Sequence, residues 1–259
     1  MKKSLSAVVV GLLILASFAV AQADPTNTRP VEITPDPVTG TSIATILNQL
    51  YVSGTKIDAA TNQSNAAVFT NEASGGAVAS MVIQLAGGVT TSDSFGLYKY
   101  GSPAQTAQIF GTGTHNQGDQ ATIAFYSNGN VKVTYTPLVG DPTAQTYTNF
   151  GNLFGFYMTG TNGTFYTEDS LNAGAAQAVI YQGNGSTIQV PGFSAGQFKS
   201  DEWIVAFQDT AISPLDPAYK DMVVLVESIS APEPSSLLIL GSGLVAMALG
   251  IRARGRRNR

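Results

Sequence analysis

From Ala77 onward, short runs of branched and aromatic residues alternate with Gly, Asn, Ser and Thr, the pattern of half-buried strands and their turns. Nine strands are predicted, near Val78–Leu85, Ser94–Tyr100, Gln120–Tyr126, Val131–Thr136, Leu153–Thr159, Thr164–Thr167, Ala176–Tyr181, Trp203–Gln208 and Met222–Glu227. Asn128-Gly129 predicts a two-residue hairpin, because both residues tolerate positive φ, and Gly160-Thr161-Asn162-Gly163 predicts a second. Upstream, Thr41 or Ser42 can cap a helix that places Ile43, Ile46, Leu47 and Leu50 on one face. Before it, Pro25, Pro30, Pro35 and Pro37 make residues 24–40 an extended leader. The expected fold class is therefore mostly β: an antiparallel β-sandwich, jelly-roll-like, over residues 41–231, with one short N-terminal helix.

Two further apolar runs show no polar face. Ala7 to Val20 follows Lys2 and Lys3 and ends at Ala21-Gln22-Ala23, so residues 1–23 read as a secretory signal peptide with Ala21 and Ala23 marking its cleavage site. The secretion translocon and signal peptidase are the partners this implies. The second run, Ser235 to Ile251, is uncharged, and its 17 residues span roughly 25 Å at about 1.5 Å each, the lower limit for crossing a bilayer core. Arg252, Arg254, Arg256, Arg257 and Arg259 follow at once, and such a cluster stays cytoplasmic. Residues 235–251 are thus expected to be a transmembrane helix that stops transfer, with the preceding domain outside the inner membrane.

Removing both ends changes the charge. Of 13 basic residues, two lie in the signal peptide and five in the tail; the remaining 6 stand against 17 acidic residues, a net of −11. That argues against nucleic acid or anionic lipid as a partner and allows cation binding. The absence of cysteine excludes thiolate chemistry, and a single histidine, His115, excludes a multi-histidine zinc site.

The order Pro232-Glu233-Pro234, short apolar span, arginine cluster, over residues 232–259, closely resembles the PEP-CTERM sorting signal of Gram-negative envelope proteins. The resemblance implies recognition at Pro232, Glu233 and Pro234 by an exosortase-like membrane protease, transient anchoring in the inner membrane, and then a place at the cell surface or in an exopolysaccharide matrix.

Candidate chemistry in the remaining chain centres on Trp203–Asp209 and Asp216–Val226, two predicted strands flanking a loop with Asp209, Asp216 and Asp221. Three carboxylates with loop carbonyls could bind Ca²⁺, which takes several oxygen ligands; equally, they could shape turns through backbone hydrogen bonds. Phe207, Asp209, Asp216, Tyr219 and Asp221 resemble the acidic C-terminal loop of a domain recurrent in secreted proteins, and Phe95-Gly96-Leu97-Tyr98 is a fainter echo of it. Gln208, Ala218 and Lys220 depart from that pattern, replacing two acidic residues and an asparagine.

Other chemistries have thinner support. His115, in the glycine-rich loop 111–118, is expected to be solvated, and no Gly-x-Ser-x-Gly elbow presents a serine. Glu168-Asp169 and Asp201-Glu202 invite a carboxylate-based glycosidase reading, but strand neighbours point to opposite faces. Trp203 and the other aromatics suit either a sandwich core or stacking on an extracellular polysaccharide. A non-catalytic exported protein is the leading expectation, and a calcium-dependent or carbohydrate-binding surface module is the alternative.

Overall fold

The computed structural model describes residues 27–71, 78–86, 93–112, 115–160, 162–209 and 217–232. Residues 1–23 and 235–259, with the predicted signal peptide, membrane span and basic end, lie outside the described residues. Among the described residues no helix is long and apolar enough to cross a membrane. Residues Asp24–Ala231 form one compact unit.

The elements run α1 (Ile43–Leu50), β1 (Tyr51–Ser53), β2 (Phe69–Asn71), β3 (Val78–Ala86), β4 (Ser94–Lys99), β5 (Ser102–Phe110), β6 (Gln120–Phe125), β7 (Val131–Thr136) and β8 (Thr143–Tyr147). Then come β9 (Leu153–Gly160), β10 (Gly163–Tyr166), a 3-10 turn at Asp169–Asn172, β11 (Ala178–Gln182), β12 (Thr187–Ile188), β13 (Gly196–Gln197), β14 (Trp203–Phe207), β15 (Met222–Val226) and β16 (Ile229–Ser230). The fold is mostly β, and all strand pairings are antiparallel. One large sheet has the order β16-β2-β9-β4-β5, with β10 also on β9; the other has the order β11-β14-β15-β3-β6-β7-β8. Strands β1, β12 and β13 make a third, small sheet. Consecutive strands pair at β4–β5, β6–β7–β8, β9–β10 and β14–β15. Other neighbours, β9 beside β2 and β4 and β3 between β15 and β6, are distant in sequence, so long crossovers join these hairpins.

The two large sheets share one core. Phe95 of β4 meets Phe207 of β14 edge-on at 6.1 Å, and Phe125 of β6 stacks on Phe154 of β9 at 5.1 Å. Each buried phenylalanine contributes roughly 1.5–3 kcal/mol relative to exposure. Strands β14 and β15 are buried on both faces, which explains their unbroken apolar runs. Trp203, Val205 and Phe207 enter the shared core, whereas Ile204 and Ala206 join a second core on the opposite face of their sheet. Ile43, Leu47 and Leu50 of α1 cover that second core. The helix begins where expected: Ser42 is extended at φ −153°, its N–H donates to Thr45 Oγ1 at 3.4 Å, and the Ile43 N–H donates to Ala218 O at 2.8 Å.

The leader is bound to the domain. Arg29 is buried, makes a two-pronged pair with Asp169 at 2.7 and 2.8 Å, and donates to Ala178 O. Asn27 donates to Thr167 O and accepts the Asp169 N–H.

The second predicted hairpin forms at β9–β10, with Gly160 opposite Gly163. The first forms differently. Its loop is Ser127-Asn128-Gly129: the Gly129 N–H donates to Tyr126 O, the Tyr126 N–H donates to Asn130 O, and Gly129 alone has positive φ, at 82°. This three-residue loop is a tight turn followed by one left-handed residue, and it corrects the two-residue expectation. Strands β5 and β8 are further additions to the predicted set. Both are sheet edges: β8 is polar and largely exposed, and β5 buries only Ala107, Ile109 and Phe110 near its end.

Candidate functional site

The strand pair β14–β15 brings Asp209 and Asp221 together where the two strands open into their loop. Phe207 pairs with Met222, and one step further the Asp209 N–H donates to Asp221 Oδ2 at 2.9 Å. Burial, reinforced by the Asp209 carboxylate beside it, pushes the Asp221 carboxyl up to about 7, against the pull of the Asp209 N–H and Lys220. Asp221 therefore keeps its proton to a higher pH than an ordinary carboxyl does. Asp216 lies outside the described residues, so its distance from the pair is not part of the geometry.

Asp93, which precedes β4, approaches the same place. A Cβ built on Gly160 would lie 3.2 Å from Asp93 Oδ1 and 3.5 Å from Asp209 Oδ2, so the glycine lets both carboxylates crowd the end of β9. No local pattern around Asp93 signals this, because only the register of β4 against β9 creates it. Among the described residues, no three His, Cys, Asp or Glu side chains are grouped to hold a metal ion. Asp209 and Asp221 alone fall short of the roughly six to eight oxygens that Ca²⁺ takes.

The three departures from the acidic-loop pattern have structural partners. Gln208 is buried, and its Oε1 accepts the Tyr219 N–H at 2.9 Å. Ala218 is fully buried, and its carbonyl receives the first N–H of α1. Lys220 reaches back to the leader, 2.8 Å from Asp36 Oδ2 and 3.2 Å from Thr39 Oγ1. That lysine and the Thr39 N–H hold the Asp36 carboxyl far below the usual carboxylate range. Tyr219 stands between them at φ 48°, a left-handed conformation uncommon for a bulky residue, with its hydroxyl on Ala176 O.

The adjacent acidic pairs are occupied structurally. Glu168 accepts the Tyr98 hydroxyl at 2.6 Å, and Asp169 is ion-paired with Arg29. Glu202 caps the Lys199 N–H. Its carboxyl is raised by burial and by Glu227, which the Trp203–Val226 register sets beside it. Burial likewise raises Glu227. This pair comes from two strands and was invisible in the local sequence; both carboxylates line one cavity of about 260 Å³, together with Lys199 and Phe193.

Two expectations are corrected. His115 is 1% exposed, not solvated: its ring stacks on Phe110 at 5.8 Å. Burial lowers its pKa, opposed by a hydrogen bond to the Asp93 backbone and by the Asp119 and Asp93 charges. Trp203 offers no ring to a sugar, since it is 2% exposed, meets Phe69 edge-on and donates to Ile229 O at 2.9 Å.

Pro232 is the last described residue; Glu233, Pro234, Arg252, Arg254, Arg256, Arg257 and Arg259 lie outside the described residues, as do Ala21 and Ala23. Residues 230–257 match the PEP-CTERM protein-sorting motif. The chain therefore carries the sorting signal of exported proteins, and that motif implies recognition by an exosortase, a membrane protease. No curated protein and no solved structure matches the chain.

Proposed function

We propose that this protein is a non-catalytic component of the cell envelope or exopolysaccharide matrix. Its antiparallel β-sandwich is exported, held transiently at the inner membrane by residues 235–251, and released or transferred by an exosortase-like protease acting near Pro232-Glu233-Pro234. The match of residues 230–257 to the sorting motif carries this reading. The domain agrees with it: its buried carboxylates Glu168 and Asp169 are tied into the fold by Tyr98 and Arg29. Neutralising Arg252, Arg254, Arg256, Arg257 and Arg259 is expected to impair stop-transfer and processing, read as altered membrane fractionation and C-terminal mass. Unchanged fractionation together with unchanged mass defeats the reading.

A second reading, a calcium-supported surface module, is favoured by one contact, the meeting of Asp209 with Asp221. With Asp216 and loop carbonyls as further oxygen donors, Asp221 would exchange its proton for the cation.

A further inference from the structure

We propose that the open margin between the edge strands β5 and β8 is a saccharide-binding cleft that seats one ring of a neutral polysaccharide. Val131 and Val133 of β7 point into the shared core. The cross-strand pairs Val131–Tyr147, Val133–Gln145 and Tyr135–Thr143 therefore put Tyr147, Gln145 and Thr143 on the inner face of β8. A sandwich closed here would bury Thr143 and Gln145 away from water, at a cost that apolar packing around them would not return. The margin stays open instead, and a cleft of about 280 Å³ remains.

Gln108, Thr112, Thr143 and Gln145 line this cleft together with Val133 and Tyr135. Below it the two edges are tied together: the Gln108 N–H donates to the Tyr147 hydroxyl at 3.0 Å, and Gln105 Nε2 donates to Thr148 O at 3.0 Å. The Tyr135 hydroxyl is engaged by Asp119 at 2.6 Å, and its half-buried ring packs against the core, meeting Phe110 edge-on at 5.9 Å. Gly111 makes room for the Gln108 amide, since a Cβ there would lie 2.5 Å from Gln108 Nε2.

The chemistry of this lining selects the ligand. Among the described residues no charged side chain lines the cleft, so none of them answers a phosphate or a uronate there. Two amides offer donors and acceptors side by side, and two hydroxyls do both, which complements vicinal sugar hydroxyls. The half-buried Tyr135 ring suits the C–H face of a pyranose. Drug-sized ligands occupy about 300–1,000 Å³, so this cleft holds a single ring of a chain that continues into solvent. The inference rests on the proposed surface or matrix role only for where such a polymer would be met.

Affinity electrophoresis of the full chain in a mild non-ionic detergent tests it independently of sorting. Gels are cast with dextran, laminarin or galactomannan, with alginate as the anionic control. Retardation is expected in at least one neutral gel and not in alginate. Gln108→Ala combined with Gln145→Ala should weaken binding about tenfold or more while leaving the melting temperature unchanged, because both side chains are exposed. Gly111→Ala, which displaces the Gln108 amide, should weaken it as well. The proposal is overturned if no neutral polymer retards the chain, or if the double variant binds as the parent does. It is equally overturned if mobility instead tracks protein concentration in sugar-free gels, which assigns the uncharged edges to strand pairing with a second copy.

Discussion

Asp221→Asn tests the carboxylate pair at the β14–β15 loop. In the fold, burial and the neighbouring Asp209 carboxylate raise the Asp221 carboxyl from 3.8 to about 7. The folded chain therefore keeps a proton that the unfolded chain has already released. The stability linked to this proton is fully present below about pH 4, falls as pH rises towards 7, and stays low above it. A difference of about three units at about 1.36 kcal/mol each sets a ceiling of about 4 kcal/mol. Asp221 is only partly buried, so solvent screening leaves on the order of 1–2 kcal/mol. Asparagine retains an acceptor for the Asp209 N–H, donates its own amide to the Asp209 carboxylate, and never ionises. In thermal melts followed by circular dichroism, variant and parent should coincide near pH 4. The variant should then melt about 2–8 °C higher near pH 8, at roughly 2–4 °C per kcal/mol. A gap that is independent of pH, or negative near pH 8, refutes the retained proton. Millimolar Ca²⁺ near pH 8 separates the two functional readings: a true site stabilises the parent alone and narrows or reverses the gap, whereas an unchanged gap removes calcium from the account.

Two further predictions concern what holds the frame. Arg29→Ala should cost about 3–5 kcal/mol in urea unfolding, because it leaves the buried Asp169 carboxylate uncompensated and removes the donor to Ala178 O; a loss below about 1 kcal/mol would show that the leader contributes little to the fold. Gly155→Ala should destabilise by about 1–3 kcal/mol, since Tyr98 lies across Gly155 from the paired strand and an added Cβ would collide with its ring; a neutral result would mean that Tyr98 can leave Glu168 freely.

Legibility in the sequence followed burial. The nine predicted strands reappear within a few residues, and α1 with its Ser42 cap does so too, because alternation and apolar runs are imposed wherever a face must leave water. The edges β5 and β8 carried a weaker signal for the complementary reason: Gln108, Thr143 and Gln145 are exposed, and β5 buries apolar side chains only at Ala107, Ile109 and Phe110. His115 misled because its neighbours are glycine, threonine and asparagine, which read as a wet loop, whereas its ring packs on a phenylalanine of β5. Asp209 with Asp221 was legible as a loop pair. Asp93 beside Asp209, and Glu227 beside Glu202, depend on which strand lies next to which, and local sequence does not encode that.

The departures Gln208, Ala218 and Lys220 give the acidic loop a different physical emphasis from the pattern it resembles. A glutamate at 208 would carry a charge into a buried position, and an aspartate at 218 would force a carboxylate into a fully buried position beside the start of α1. Lys220 in place of asparagine reaches Asp36 and Thr39. Together with Thr34 N–H to Pro217 O and Ile43 N–H to Ala218 O, these contacts make 217–221 a clasp that binds leader and helix to the β14–β15 pair. The left-handed Tyr219 is the strained link in that clasp, held by hydrogen bonds at both its backbone N–H and its hydroxyl. In this chain residues 217–221 close the fold, and Asp221 beside Asp209 is where a change of protonation would be felt.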